Sequence, residues 1–174
     1  MAIKALMVDV DGVVVDGRPD DGRPWQTSLE EDFGVTAAAL HAGPAALVAY
    51  WFDRDSRIVA SFLPEFAWAR AAGVRVFLTT NQEHLRAAHL MDSLGLAHHV
   101  DGMFYSARLG ARKPDLDFFA QVQAQVGLSG DTILFIDDSR DNIGAALRAG
   151  WHALQWTGHD APSIVRSAVQ TLRR

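Results

Sequence analysis

Cysteine is absent from this 174-residue chain, which excludes disulfides, thiolate metal sites and cysteine nucleophiles. Lysine is nearly absent, since Lys4 and Lys113 are the only two and the other fourteen basic residues are arginines. Lys113 therefore stands alone in the interior of the chain. No apolar run approaches the length of a membrane span, and the run after Lys4 is interrupted at Asp9, too early for the core of a signal peptide. We therefore expect a cytoplasmic protein without a membrane partner.

Positive charge is also in deficit, because the formal net charge is -5 at pH 7. This balance provides no global attraction to nucleic acid or to anionic membranes, so we expect no nucleic-acid partner. Hydrophobic residues make up 49% of the chain and charged residues 21%, which is ordinary for a globular protein. The length is sufficient for one domain with a small insertion.

Apolar runs along the chain predict the strands of a mostly parallel sheet. The first three are rich in Val, Ile, Leu or Phe and end at polar residues, as strands buried on both faces do. The runs span residues 2–10, 74–80, 132–138 and 151–156, with a shorter candidate at 100–106.

Helical patterns separate these runs. Several end at a glycine, a typical C-terminal stop, and Pro64 and Pro114 lie where a proline can open a helix. The alternation of strand and helix predicts an α/β fold with a doubly wound, mostly parallel sheet. The helical patterns span residues 56–73, 84–95, 114–127, 141–150 and 161–174.

Polar residues follow three of the predicted strands. Asp9, Thr80 and Asp137 each lie at the carboxyl end of one strand. Ligands of doubly wound sheets bind beyond these ends. The topology therefore predicts that the three residues meet at one edge of the sheet.

Residues 17–55 interrupt the alternation of strand and helix. A turn-rich loop opens this segment, and helical patterns follow at 28–34 and 35–52. We expect a core domain formed by residues 1–16 and 56–174, with 17–55 as a small helical insertion over the predicted site.

The sequence DVDG places Asp9 and Asp11 close together, at a cost unless a cation or a proton is shared between them. Gly12 allows a sharp turn after the strand. Asp9 could attack phosphorus as a nucleophile, and Asp11 could protonate a leaving group and then activate water. A solvated turn is the alternative, because Asp and Gly are common in turns.

Three further residues could bind an anion. Thr80 and Asn81 end a predicted strand and could donate hydrogen bonds to a phosphate, although both residue types are also favoured as helix N-caps. Lys113 precedes a predicted helix and could neutralise a phosphate while holding a nucleophile. The alternative for Lys113 is an ordinary exposed lysine.

The sequence FIDDSRDN places adjacent acids, Asp137 and Asp138, at another strand end. Adjacent carboxylates repel each other unless a cation is near. Mg²⁺ takes oxygen ligands and keeps several waters, so a few carboxylates suffice to bind it. The alternative is an acidic loop that caps the next helix, where Asp141 would favour the helix dipole.

Taken together, the motifs DVDGV, LTTNQ, RKPD and FIDDSRDN resemble the four motifs of the haloacid dehalogenase-like (HAD) hydrolase superfamily. The resemblance implies a Rossmann-like core with a helical cap formed by residues 17–55. It also implies that Asp9 is the nucleophile and Asp11 the general acid and base.

The resemblance extends to the cofactor and the phosphate site. It implies that Mg²⁺ is held by Asp9, the main-chain carbonyl of Asp11 and Asp138, with Asp137 a ligand or a hydrogen-bonding partner of the ligands. Thr80, Asn81 and Lys113 would bind the transferring phosphoryl group.

By the same resemblance, we expect a Mg²⁺-dependent phosphatase that hydrolyses a small phosphorylated metabolite through an aspartyl-phosphate on Asp9. The aspartate at position 11 favours phosphoryl chemistry over dehalogenation. The insertion lacks the lysine that phosphonate-cleaving relatives use. A phosphomutase or phosphotransferase of the same family remains an alternative, and so does a non-catalytic binding protein, which the shortness of the cap would favour.

Overall fold

The computed structural model describes residues 2–16, Val48, Phe52, 56–158 and 162–172. The insertion expected at residues 17–55 lies outside these residues, apart from Val48 and Phe52. Its helical character therefore stays a prediction. No helix in the described part of the chain is long and apolar enough to cross a bilayer.

The core is a five-stranded, parallel sheet with β1 at its centre and the order β5-β4-β1-β6-β7. It confirms the predicted α/β fold. Two short strands pair antiparallel beside it, β2 with β3, and were not predicted. The strands are β1 (Ala5–Val8), β2 (Val15–Asp16), β3 (Arg57–Ile58), β4 (Arg75–Thr80), β5 (Gly102–Tyr105), β6 (Ile133–Asp137) and β7 (His152–Gln155).

Five of the six helices in the described residues lie within or close to the predicted helical patterns, and the short helix after β5 was not predicted. The helix expected from residue 56 begins only at Leu63, after β3 and a short 3-10 turn, so Pro64 lies in its first turn and marks its start. The helices are α1 (Leu63–Ala71), α2 (His84–Ala88, continued by a π turn over His89–Ser93), α3 (Ser106–Leu109), α4 (Leu116–Val126), α5 (Arg140–Arg148) and α6 (Ser163–Thr171).

The central strand divides its side chains between two hydrophobic cores. Leu6 and Val8 pack into one core, whereas Ala5 and Met7 pack into the other. This alternation follows from the two-residue period of a strand whose faces are both covered. Both faces of the sheet are therefore buried, and the accessible place for a site is the edge formed by the carboxyl ends of the strands.

The register of the sheet brings the predicted strand ends together. Val8 pairs with Leu78 on one side and with Ile136 on the other. The backbone N–H of Asp9 then donates to the carbonyl of Ile136 at 2.8 Å. Asp9 therefore lies between the ends of β4 and β6, as the topology predicts.

Candidate active site

Asp9 lies at the centre of the site, directly after β1. Only 7% of the surface of Asp9 is exposed. One carboxylate oxygen, Oδ1, accepts a hydrogen bond from the backbone N–H of Val10 at 2.7 Å and lies 2.8 Å from the Nζ of Lys113. Among the described residues, no donor is bonded to Oδ2. The carboxylate is thus held by one oxygen, while the other remains available.

Lys113 is buried, with only 2% of the residue exposed. Its ammonium lies 2.8 Å from Oδ1 of Asp9 and 2.6 Å from Oδ2 of Asp137, and it donates to the carbonyl of Thr79 at 2.9 Å. An ammonium has three donors, and these contacts use all of them. Lys113 is therefore a fixed charge between two carboxylates and not the exposed lysine of the alternative interpretation.

Asp137 is fully buried at the end of β6. Its Oδ1 accepts from the backbone N–H of Ser139 at 2.8 Å, and the Nδ2 of Asn142 lies 3.0 Å from both carboxylate oxygens. With Lys113 on Oδ2, both oxygens of Asp137 already have donors. This suits a residue that orients its neighbours.

Asp138 is exposed and completes a cluster of carboxylates with Asp9 and Asp137. One oxygen from each residue lies within 4.8 Å of the others. When all three carboxylates are ionised, the ammonium of Lys113 balances one of the charges and two negative charges are left at the cluster. Carboxylate ligands and this surplus charge fit a divalent cation such as Mg²⁺. The ligand expected from Asp11 is its main-chain carbonyl, which remains a prediction.

The cluster also disturbs the titration of its members. Burial, reinforced by the charge of Asp137, raises the pKa of Asp9 to about 7 although Lys113 acts in the opposite direction. Partial desolvation and the charge of Asp137 likewise raise the pKa of Asp138, even though this side chain reaches solvent. Both carboxylates therefore hold protons more tightly than usual when no metal is bound.

Asp11 lies two residues after Asp9, and its carboxylate contacts Gln82 and Arg86. The Nε2 of Gln82 donates a hydrogen bond to Oδ2 of Asp11, and the Nη2 of Arg86 lies 3.8 Å from Oδ1. The Asp11 side chain is 50% exposed. An accessible carboxyl group next to a buried one is suited to proton transfer.

Asn81 contacts the backbone of Lys113 through both groups of its side-chain amide. Its Oδ1 accepts from the N–H of Lys113 at 2.8 Å, and its Nδ2 donates to the carbonyl of Lys113 at 2.9 Å. Thr80 is buried at the end of β4. Asn81 therefore fixes the loop that presents Lys113, and a direct contact of Thr80 or Asn81 with phosphate stays a prediction.

A cavity of about 790 Å³ opens beside the carboxylates, not over them. It lies between the chain segments that follow β4 and β5, and its walls include Asn81, Gln82, Ser106, Gly110 and Arg112. Asn81 and Gln82 connect it to the site. The candidate catalytic groups therefore belong to the carboxylate cluster, and the cavity lies next to them.

Sequence reasoning did not identify Gln82, Arg86 and Ser139 as parts of this site. Gln82 stands within the LTTNQ motif, so its position could have drawn attention. Arg86 lies in an ordinary helical pattern, and Ser139 contributes a backbone N–H. Ser139 stands within the FIDDSRDN motif, whereas nothing in the sequence distinguishes Arg86 from other residues of its helix.

Known proteins with similar sequences include two phosphatases. The chain is 36% identical over 93 residues to the sesquiterpene phosphatase astK of Aspergillus oryzae, covering 51% of this chain and 45% of that protein. It is 28% identical over 145 residues to the enolase-phosphatase E1 of Pectobacterium carotovorum, covering 79% of this chain and 61% of that protein. The chain thus spans about half of the length of these curated relatives.

Solved structures share the fold. The HAD family enzyme bt-2542 of Bacteroides thetaiotaomicron, crystallised with magnesium and inorganic phosphate, matches with a TM-score of 0.70 and 16% identity over 91% of this chain and 96% of that chain. A predicted HAD-like hydrolase of Porphyromonas gingivalis matches with a TM-score of 0.69 and 20% identity over the whole of both chains. Residues 23–150 match the sequence model of the haloacid dehalogenase-like hydrolases, and the chain belongs to that family.

Proposed function

We propose that the protein is a Mg²⁺-dependent phosphatase that hydrolyses a small phosphorylated metabolite through an aspartyl-phosphate on Asp9. The observation that carries this proposal is the state of the Asp9 carboxylate. It is buried, held through Oδ1 by Lys113 and Val10, and left without a described donor on Oδ2. Relatives named enolase-phosphatase and phosphoglycolate phosphatase support a phosphorylated small molecule as the substrate.

The residues present fit the magnesium ion that the family implies. Asp9, Asp138 and the main-chain carbonyl of Asp11 would hold it, with Asp137 as a ligand or as the group that orients the others. When bound, the ion offsets the charge between an anionic nucleophile and an anionic phosphate. Lys113 contributes to the same balance from inside the protein, because its ammonium is fixed against Asp9.

Asp9 and Asp11 act in both half-reactions, the formation of the aspartyl-phosphate and its hydrolysis. Oδ2 of Asp9 forms a bond to phosphorus as the bond from phosphorus to the leaving oxygen breaks, and Asp11 gives its proton to that oxygen. Asp11 then takes a proton from water, which attacks phosphorus and restores the Asp9 carboxylate. Thr80 and Asn81 lie at the end of β4, where they would help to bind the transferring group, with Asn81 also fixing Lys113.

Phosphate release from an aryl phosphate tests this proposal. Wild type and Asp9→Asn are compared with Mg²⁺ and with chelator, and Asp117→Asn, which changes an exposed carboxylate bonded to Gln121 on α4, is the matched control. We expect release by wild type and by the control with Mg²⁺ only, and none by Asp9→Asn.

Turnover by Asp9→Asn at the wild-type rate, in a protein whose fold is unchanged by circular dichroism, would contradict the nucleophilic role. A panel of phosphorylated metabolites that includes phosphoglycolate follows. Transfer of the phosphoryl group to an organic acceptor in place of water would identify a phosphotransferase or mutase.

A further inference from the structure

Two residues that the proposed chemistry does not use contact the Asp11 carboxylate. Gln82 donates to Oδ2 of Asp11, and the guanidinium of Arg86 faces Oδ1 at 3.8 Å. Each oxygen of this carboxylate therefore has a different neighbour. Because half of the Asp11 side chain is exposed, packing alone does not fix it.

Gln82 is anchored through its own backbone. Its carbonyl accepts hydrogen bonds from the Oγ of Ser106 and from the N–H of Ala107, each at 3.1 Å. Both donors belong to α3, which follows the edge strand β5. The sheet and α3 therefore hold the backbone of Gln82 in place.

Arg86 is anchored more firmly. It lies in α2, where Glu83 caps the first turn by accepting from the N–H groups of Leu85 and Arg86. The Arg86 side chain is only 6% exposed. Its Nη1 donates to the Oγ of Ser56 at 2.5 Å and to the carbonyl of Phe52 at 3.3 Å.

The ring of Phe52 adds a contact to the same guanidinium, whose central carbon lies 5.3 Å from the ring centroid. Arginine is almost never buried unless it is paired. Contacts with Ser56 and Phe52 set the plane of the guanidinium, and this leaves Nη2 directed at Asp11. The position of Arg86 is therefore fixed independently of Asp11.

We propose that Gln82 and Arg86 are positioning residues that aim the Asp11 carboxyl group at the leaving oxygen of the substrate. This inference depends on the proposed function, in which Asp11 is the general acid. General acids act only from within hydrogen-bonding distance of the group that they protonate. A carboxyl group that has rotated out of hydrogen-bonding distance cannot protonate a poor leaving group.

The sensitivity of the reaction to the leaving group tests this role. A series of substituted phenyl phosphates, from phenyl phosphate to p-nitrophenyl phosphate, varies the acidity of the leaving phenol with little change in shape. The quantity measured is kcat/KM, because it reports the steps up to departure of the phenol and not the later hydrolysis of the aspartyl-phosphate. The variants are Gln82→Ala, Arg86→Met and Arg86→Lys, all with Mg²⁺ present.

We expect kcat/KM of Gln82→Ala and of Arg86→Met to fall at least about tenfold on phenyl phosphate and less than about threefold on p-nitrophenyl phosphate, whose leaving group needs no proton. Arg86→Lys keeps the positive charge and should recover part of the loss on phenyl phosphate. Gln82 is only partly buried, so Gln82→Ala tests the proposal even where Arg86→Met fails to fold.

Arg70→Met is the matched control, because Arg70 also pairs with an aspartate, Asp101 at 3.1 Å, but beside the amino ends of β4 and β5, at the edge of the sheet opposite the site. In Arg70→Met, kcat/KM should depend on the leaving group as it does in wild type. An equal loss across the whole series in Gln82→Ala and folded Arg86→Met would overturn the positioning role and leave the phosphatase proposal standing. No release by wild type from any member of the series would overturn the phosphatase proposal and this inference with it.

Discussion

Gly12 and Asp138 approach so closely that a β-carbon on Gly12 would lie 2.5 Å from Oδ2 of Asp138. Gly12 also has a φ of 79°, which residues with a side chain rarely adopt. The turn after β1 therefore needs glycine for its backbone, and a β-carbon at this position would displace the Asp138 carboxylate. This confirms the sharp turn predicted at Gly12 and links it to the carboxylate cluster.

Gly12→Ala should displace Asp138 and weaken the response to Mg²⁺, in addition to a backbone cost of about 1–2 kcal/mol. Gly73→Ala is the matched control, because Gly73 has a φ of 78° with nothing within 4 Å of its added β-carbon. Thermal unfolding with and without Mg²⁺ separates the two effects. Both variants should lose stability, and an intact response to Mg²⁺ in Gly12→Ala would contradict the role given to its contact with Asp138.

Mg²⁺ itself should stabilise the fold, because the proposed site exists in the folded carboxylate cluster and not in the unfolded chain. At one hundred times the dissociation constant, the gain is about 2.7 kcal/mol, seen as an increase in Tm. Asp138→Asn should lose most of this increase, whereas Asp117→Asn should keep it. Equal shifts in wild type and Asp138→Asn would remove Asp138 from the metal site.

Lys113→Met should destabilise the metal-free protein by roughly 3–5 kcal/mol, since it leaves the buried carboxylates of Asp9 and Asp137 without their cation. Lys4→Met is the control, because Lys4 is the only other lysine and is exposed. Urea denaturation at pH 8 measures both free energies of unfolding. A loss in Lys113→Met no larger than that in Lys4→Met would show that the buried ion pairs carry little stability.

Asp9 should make the metal-free protein less stable as the pH rises. Its pKa is about 7 in the folded state against an ordinary value of 3.8, so between these pH values the folded protein keeps a proton that the unfolded chain has released. The resulting stabilisation is fully present below about pH 4 and is lost as the pH rises through 7.

Asp9→Asn carries no such proton, so its stability relative to wild type should improve between pH 5 and pH 8 by an amount on the order of a few kcal/mol. Chelator-treated samples unfolded by urea at each pH provide the comparison. Saturating Mg²⁺ should reduce the trend, because the ion then neutralises the carboxylates. A difference between the two proteins that stays constant with pH would contradict the raised pKa.

The arrangement of strand ends could be predicted from sequence because each part of it is local. An apolar run that ends at Asp9, Thr80 or Asp137 marks a strand terminus, and parallel strands then force these ends to one edge. Lys113 could be selected because lysine is so rare in the chain. The resemblance of the four motifs supplied the rest of the candidate roles.

Contacts between distant segments could not be predicted in this way. Asn81 and Lys113 are 32 residues apart, and no periodicity indicates that the amide of one holds the backbone of the other. Arg86 belongs to a helical pattern like any other until Ser56 and Asp11 are placed around it. The paired strands β2 and β3 have two residues each, too few for a recognisable pattern.

The pairing of β2 with β3 has a consequence for how the family can vary. Asp16 lies opposite Arg57, with the carboxylate and guanidinium 2.7 Å apart, so the described chain on either side of residues 17–55 is joined at adjacent points. The entropy of closing such a loop changes by only about 0.6 kcal/mol for each doubling of its length. We therefore expect the core to accept segments of very different length between these two residues at little cost in stability.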